Sequence, residues 1–297
     1  GNDGLGDFVE TALARLPFKE YRLVKTEWPS PRTDVISDPY YDNGHGERTF
    51  INLLGAANHF YPADLEDQFF NAGIICFGGT GLVPPIHDGL TELLTRAKNG
   101  GALTVVNLVY DFRSEMTAPG IKWKLGVRDD AYPYIDILMA DKDEALKTSG
   151  TASAEDAIRW FLAQGTGAVI VTEGSRSIKL AAGTGVFAPL ETLSMPVCEA
   201  VNRELEAHPE RRGDTTGCGD NFAGGVIAGI AEQLAALPAN APPRGTLDLR
   251  ECAIPGTAAG GFACFTVGGT YYENRPGEKR DRIAAYIAAY RKQLGVM

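Results

Sequence analysis

The chain has 297 residues and carries 38 acidic against 28 basic side chains, a net charge of −10. That length is ample for one large α/β domain with a real core. With 44% apolar and 22% charged residues, a disordered or fibrous chain is excluded. Net acidity argues against nucleic acid or an anionic membrane as a partner, yet a phosphate site can still be built locally from backbone N–H groups. No run reaches the roughly 18 apolar residues of a membrane helix. Cys76, Cys198, Cys218, Cys252 and Cys264 are widely spaced and odd in number, which disfavours a disulfide framework or zinc site and fits a reducing cytoplasm. His45, His59, His87 and His208 show no H-x-x-x-H spacing, so they are read as surface or satisfied polar residues. The 35 glycines exceed the usual share of about 7% and point to tight turns and close backbone approach.

The chain opens with Gly1-Asn2-Asp3-Gly4-Leu5-Gly6-Asp7, a turn of the kind that follows a strand. No strand precedes it, so the chain reads as truncated. Phe8 to Leu16 has helical spacing, and Tyr21 to Lys25 suggests a strand. Thr33 to Asp38 and Arg48 to Leu53 flank Asp42-Asn43-Gly44-His45-Gly46 and read as a hairpin, either a lid or an ordinary surface hairpin. Strands are then expected at Gly73–Phe77, Leu103–Leu108, Ile135–Met139, Ala168–Thr172 and Ile178–Ala182. Helices are expected at His87–Asn99, Ala154–Gln164, Asn221–Leu237 and Arg282–Leu294. Buried apolar strands alternating with helices imply a parallel sheet covered on both faces.

The most informative stretch is Asp214-Thr215-Thr216-Gly217-Cys218-Gly219-Asp220-Asn221-Phe222. It reads as a glycine-rich turn feeding a helix. Gly217 and Gly219 let N–H groups converge, and the helix N-terminus adds positive potential, so the pocket suits an anion. Asp220 at its mouth would repel a phosphate. It is better placed to take a proton from a hydroxyl that attacks a phosphoryl group. A helix cap alone would explain Asp220, but not two aspartates, two threonines and two spaced glycines so close together.

This stretch resembles the D-T-x-G-A-G-D-x-F signature of the PfkB family of carbohydrate kinases, with Cys218 where alanine is usual. The resemblance implies a ribokinase-like three-layer α/β/α fold, with a mostly parallel central sheet, a small β-hairpin lid at about 33–53, and one domain over 1–297. It makes Asp220 the catalytic base, also touching substrate, and Gly217, Cys218 and Gly219 the anion hole. Asp214 and Thr216 match positions that help to hold a monovalent cation such as K⁺ in some members. Gly1 to Gly6 looks like the early G-x-D-x-x-G turn, with Asp3 a substrate candidate. Gly46-Glu47-Arg48-Thr49 is similar to the lid segment. Asp136 to Ala145 resembles the strand ending in N-x-x-E, which positions Mg²⁺ through water and contacts the phosphates. Glu144 matches that motif, and Asp141 replaces its asparagine. Alone, the segment would read as a solvated acidic helix start. Thr172 and Gly174 resemble a nucleotide-contacting V-T-x-G strand end, with Ser177 in place of a later glycine. Gly268 and Gly269 fall where the family has a loop near adenine, and Gly269 is the better match. Arg113 is at most near phosphate. The family's first strand and its G-G-x-x-x-N motif would lie upstream of Gly1.

Taken together, the resemblance implies an ATP- and Mg²⁺-dependent kinase acting on a hydroxymethyl group of a sugar or sugar-like alcohol, with a homodimer through the lid. A nucleoside kinase on the same scaffold and a non-catalytic sugar or nucleotide sensor are the alternatives. Dinucleotide oxidoreductases and Walker-type kinases are disfavoured, because no strand leads into G-x-G-x-x-G and G-x-x-x-x-G-K-[ST] is absent.

Overall fold

The structure is a computed structural model that describes residues 1–16, 21–38, 40, 47–238, 243–269 and 271–296. Its centre is a six-stranded sheet: β3 (Ile74–Gly78), β4 (Leu103–Asn107), β5 (Ile137–Asp141), β6 (Ala168–Thr172), β7 (Ser177–Ala182) and β8 (Leu190–Pro196), hydrogen-bonded in that order. β3 to β6 run parallel, whereas β7 and β8 pair antiparallel. Alternate side chains of each inner strand enter opposite cores. Val106, Leu138, Ala140, Val169 and Val171 pack on one face against α2 (Pro84–Asp88), α3 (Leu90–Asn99), α5 (Lys142–Ser149) and α6 (Ala154–Ala163). Val105, Ile137, Met139 and Ile170 pack on the other, against α7 (Glu199–Ala207), α8 (Cys218–Ala236), α9 (Leu249–Ala263) and α10 (Glu278–Leu294). Burial on both faces is why these strands read as unbroken apolar runs.

Two elements stand apart. α1 (Gly4–Leu13) begins inside what reads as an opening turn, because Asp3 caps it by accepting a hydrogen bond from the Gly6 N–H. β1 (Arg32–Asp38) and β2 (Glu47–Leu53) pair antiparallel as a separate two-stranded sheet, the expected hairpin. Its turn at 42–46, with His45 and Gly46, lies outside the described residues.

Several expectations change. Tyr21 to Lys25 is not a strand: Lys25 instead reaches Asp7 and Glu10 of α1. The helix expected over His87–Asn99 is broken at Gly89, against which Pro62 packs so closely that a Cβ would sit 2.5 Å from its Cγ. β5 starts two residues late, after Asp136 turns inward to bind Lys98 and the Thr104 N–H. β8, α7 and α9 had no expectation. The helix α4 (Phe112–Thr117) follows β4, capped by Asp111.

Candidate active site

The C-terminal ends of parallel strands form the edge where open α/β sheets bind ligands. At that edge Asp141 of β5 and Thr172 of β6 are direct register partners. Thr172 Oγ1 donates to the Ala140 carbonyl at 3.5 Å, and the chain then turns through Gly174 at φ 59°. Lys142, first in α5, pairs at 2.9 Å with Glu173 of this turn, tying the two strand ends together. Ser177, where a glycine is usual, donates its hydroxyl to the same Glu173 carboxylate at 3.1 Å.

Asp141 and Glu144 are a reciprocal cap on α5. The Asp141 carboxylate accepts from the Glu144 N–H at 2.8 Å, and Glu144 accepts from the Asp141 N–H at 2.9 Å. The reading of an acidic helix start holds, but it is only partly solvated: Asp141 and Asp143 are exposed, whereas Glu144 is only 8% exposed. Desolvation first, then the Asp141 charge, with smaller contributions from Asp143 and Asp220, push its carboxyl up to about 7. Desolvation also raises Asp141.

On the other side of the edge, the 213–221 segment is fixed by backbone contacts. The Gly213 N–H donates to the Cys264 carbonyl at 2.8 Å and the Asp214 N–H to the Thr266 carbonyl at 3.0 Å. The Asp214 carboxylate accepts from the N–H groups of Thr216 at 2.7 Å and Gly268 at 3.1 Å, joining the two glycine loops. Gly217 lies in the left-handed region at φ 73°, and a Cβ there would stand 2.5 Å from the Gly269 Cα. Only glycine satisfies both demands. Gly217 caps α8, so Cys218, Gly219 and Asp220 form its first turn. The Cys218 N–H makes a long 3.3 Å bond to the Thr215 carbonyl. First-turn N–H groups have no intrahelical acceptor and point outward as an anion site.

Asp220 is exposed at this mouth, and its charge contributes to raising Glu144. It also adds to desolvation in pushing the Cys76 thiol of β3 to about 11. The predicted catalytic residue therefore lies near enough to the predicted magnesium residue for its charge to bear on Glu144. Among the described residues no three His, Cys, Asp or Glu side chains converge tightly enough to hold a metal ion unaided.

Other predicted residues sit elsewhere. Asp3 accepts from Gly6 N at 2.8 Å, Ser30 N at 2.8 Å and Ser30 Oγ at 2.7 Å. These bonds hold its carboxyl far below the usual range, those from Ser30 contributing most. Arg113 is paired with Asp88 at 2.5 to 3.0 Å. The hairpin turns Phe50 of β2 toward the body, its ring centroid 6.0 Å from that of Phe112.

The pattern that defines the pfkB family carbohydrate kinases matches residues 1–275. The chain belongs to the pfkB family of carbohydrate kinases. It is similar in fold to a ribokinase structure from Giardia lamblia, with 18% identity over 95% of this chain and 81% of that one, and a TM-score of 0.69. A Thermotoga maritima ribokinase gives 19% identity, 97% and 79% coverage, and a TM-score of 0.63. An Anopheles gambiae adenosine kinase in complex with P1,P4-di(adenosine-5) tetraphosphate gives 18% identity, 94% and 73% coverage, and a TM-score of 0.66.

Within this pfkB scaffold, two residues that frame the site, Asn221 and Lys279, and a neighbouring cysteine, Cys264, escape sequence reasoning. Asn221 Nδ2 donates to the carbonyls of Gly217 at 2.8 Å and Gly269 at 3.2 Å, clamping the glycine loops together. Lys279 of α10 donates to Asn221 Oδ1 at 2.7 Å, and desolvation lowers its ammonium. Cys264 places its Sγ 3.5 Å from that of Cys218. Asn221 occupies a variable position within the motif, just before Phe222. Lys279 and Cys264 carry no local signal.

Proposed function

We propose that this pfkB-family chain is an ATP-dependent kinase that phosphorylates a hydroxymethyl group of a sugar or sugar-like alcohol. The observation that carries the proposal is Asp220, exposed on the first turn of α8 beside the N–H groups of a helix mouth held open by Gly217. Asp220 takes the hydroxyl proton, the alkoxide oxygen bonds the γ-phosphorus, and the bond from that phosphorus to the ADP oxygen breaks. The N–H groups of Gly217, Cys218 and Gly219 donate to the transferring oxygens. Thr172, Gly174 and Gly269 line the nucleotide side, with Asp141 near the phosphates. The hairpin, whose Phe50 ring meets Phe112, is the lid whose closure would exclude water from the transfer.

The donor set fits Mg²⁺ held chiefly by phosphates and water. Glu144 and Asp141 supply hard carboxylate oxygens, and the raised Glu144 carboxyl is the state a nearby cation would relieve. Bound there, the ion neutralises phosphate charge. The solved structure of a putative E. coli ribokinase II in complex with ATP and Mg²⁺, 19% identical with a TM-score of 0.56, supports this reading. Asp214 and Thr216 remain the K⁺ candidates. The hairpin exposes Ile36, Ile51 and Leu53, a face suited to pairing two lids in a homodimer, which sedimentation velocity tests. Asp3, already holding three donors, is the weakest of the substrate candidates.

ADP release measured with sugars, with nucleosides and without acceptor separates the readings, and repeating it without K⁺ tests Asp214 and Thr216. Sugar-dependent release is expected. Asp220→Asn should fold normally and lose turnover by at least about 10²-fold; near wild-type kcat would sink the assignment. The adenosine kinase likeness keeps a nucleoside as the second reading, and nucleoside-dependent release would establish it.

A further inference from the structure

The anion hole contains a feature that phosphoryl transfer does not use. Cys218, the first residue of α8, faces Cys264, the residue after α9, with sulfur atoms 3.5 Å apart. Both are partly accessible, unlike the buried Cys198 and Cys252. Backbone contacts bring them together. A Cβ on Gly225 of α8 would lie 2.5 Å from the Pro255 carbonyl oxygen of α9, so the two helices touch main chain to main chain. One turn before Cys264, Gly260 leaves room for the Cys218 carbonyl, 3.1 Å from where a Cβ would stand. The Cys264 carbonyl is in turn held at 2.8 Å by the Gly213 N–H.

We propose that Cys218 and Cys264 form a thiol–disulfide modification site that shuts the anion hole when oxidised. The inference rests on the kinase reading only for its effect on turnover. The oxidant is a small-molecule disulfide. The Cys264 thiolate attacks it, forming a mixed disulfide and expelling one thiolate. The second cysteine gives up its proton and attacks the mixed disulfide at the protein sulfur, forming the Cys218–Cys264 bond and expelling the other thiolate. Two protein thiols are oxidised and one external disulfide is reduced to two thiols.

An S–S bond of about 2.05 Å requires the sulfurs to approach by roughly 1.5 Å. Cys264 is braced by the Gly213 N–H, and Cys218 sits at the α8 start, so closing the gap strains the turn on which the anion hole is built. That turn carries Gly219 and Asp220. A misplacement of about 1 Å there costs on the order of 10²-fold in rate.

The test treats the full chain with oxidised glutathione and maps peptides without reduction. A linked Cys218–Cys264 peptide is expected, with turnover falling roughly ten- to hundredfold and returning with dithiothreitol. Cys264→Ser, which leaves the anion hole's own residues intact, should keep its turnover through the same treatment. Absence of the linked peptide overturns the proposal, as does a linked protein with unchanged turnover. If the reduced protein phosphorylates no alcohol, the kinase reading fails on its own. The linked peptide and weakened ATP binding by calorimetry then decide the proposal: unaltered binding after linkage overturns it.

Discussion

Glu144→Gln separates the electrostatics of the cleft from its catalysis. The substitution keeps an oxygen that accepts from the Asp141 N–H, now at 2.9 Å, so the cap on α5 survives. It removes a carboxyl that the fold raises from 4.5 to about 7. Between those values the folded protein holds the Glu144 proton more tightly than the unfolded chain does. The stability this contributes is full below pH 4.5 and is lost as the pH rises through 7. Each unit corresponds to about 1.4 kcal/mol, so ionising Glu144 in place costs about 3 kcal/mol. Urea denaturation of both proteins at pH 5 and pH 8 reads this directly, because every other titrating group is common to both. The variant should gain about 2 to 3 kcal/mol on the wild type between the two pH values. A second variant, Asp220→Asn, should reduce that gain, since Asp220 contributes to the shift. Parallel stabilities for wild type and Glu144→Gln would show that Glu144 is neither desolvated nor facing these carboxylates, and the grouping of Asp220 with Glu144 would fall with it.

Two further substitutions test the frame of the site. Gly217→Ala must hold φ 73° and place a methyl 2.5 Å from the Gly269 Cα. The left-handed backbone alone costs about 1 to 2 kcal/mol, and displacement of Gly269 adds to it. Gly219→Ala meets nothing within 4 Å and should stay within about 0.5 kcal/mol of wild type; equal denaturation midpoints for the two variants would contradict the described loop. Asp3→Ala removes the acceptor shared by Gly6 and Ser30, so both amides should exchange with deuterium roughly tenfold faster, and unchanged protection would show that the α1 cap is not formed.

Much of the site was legible because its chemistry is local. The run from Asp214 to Asp220 encodes its own turn through Gly217, and β4 to β6 declare themselves as apolar runs bounded by helices. The misses have physical causes. α9 is buried on nearly every side and contains Pro255, Gly256, Gly260 and Gly261, so it offers neither a polar face nor ordinary helix propensity. Tyr21 to Lys25 is rich enough in β-favouring residues to read as a strand, yet among the described residues no strand pairs with it, and Lys25 is drawn to α1 instead. Helical periodicity across Gly89 conceals a break whose cause, Pro62, comes from another segment. Cys264 lies 46 residues from Cys218, and Lys279 lies 58 from Asn221. Contacts over such separations follow from the packing of α8, α9 and α10, which sequence spacing does not specify.

On the proposed kinase reading, an acidic chain that receives phosphates has to avoid repelling them, and its carboxylates are arranged to that end. Asp141, Glu144, Asp214 and Asp220 all border the cleft, but their charges are not equally present. Asp214 is offset by the N–H groups of Thr216 and Gly268. Asp220 lies in the first turn of α8, where the helix dipole favours a negative side chain. Glu144 is conditional: near neutral pH burial holds part of it protonated, so it repels an arriving phosphate less than a full carboxylate would. Its charge becomes favourable only beside a cation. On the kinase reading, the fold thus suppresses the ionisation of the two carboxyls at the start of α5, Asp141 and Glu144.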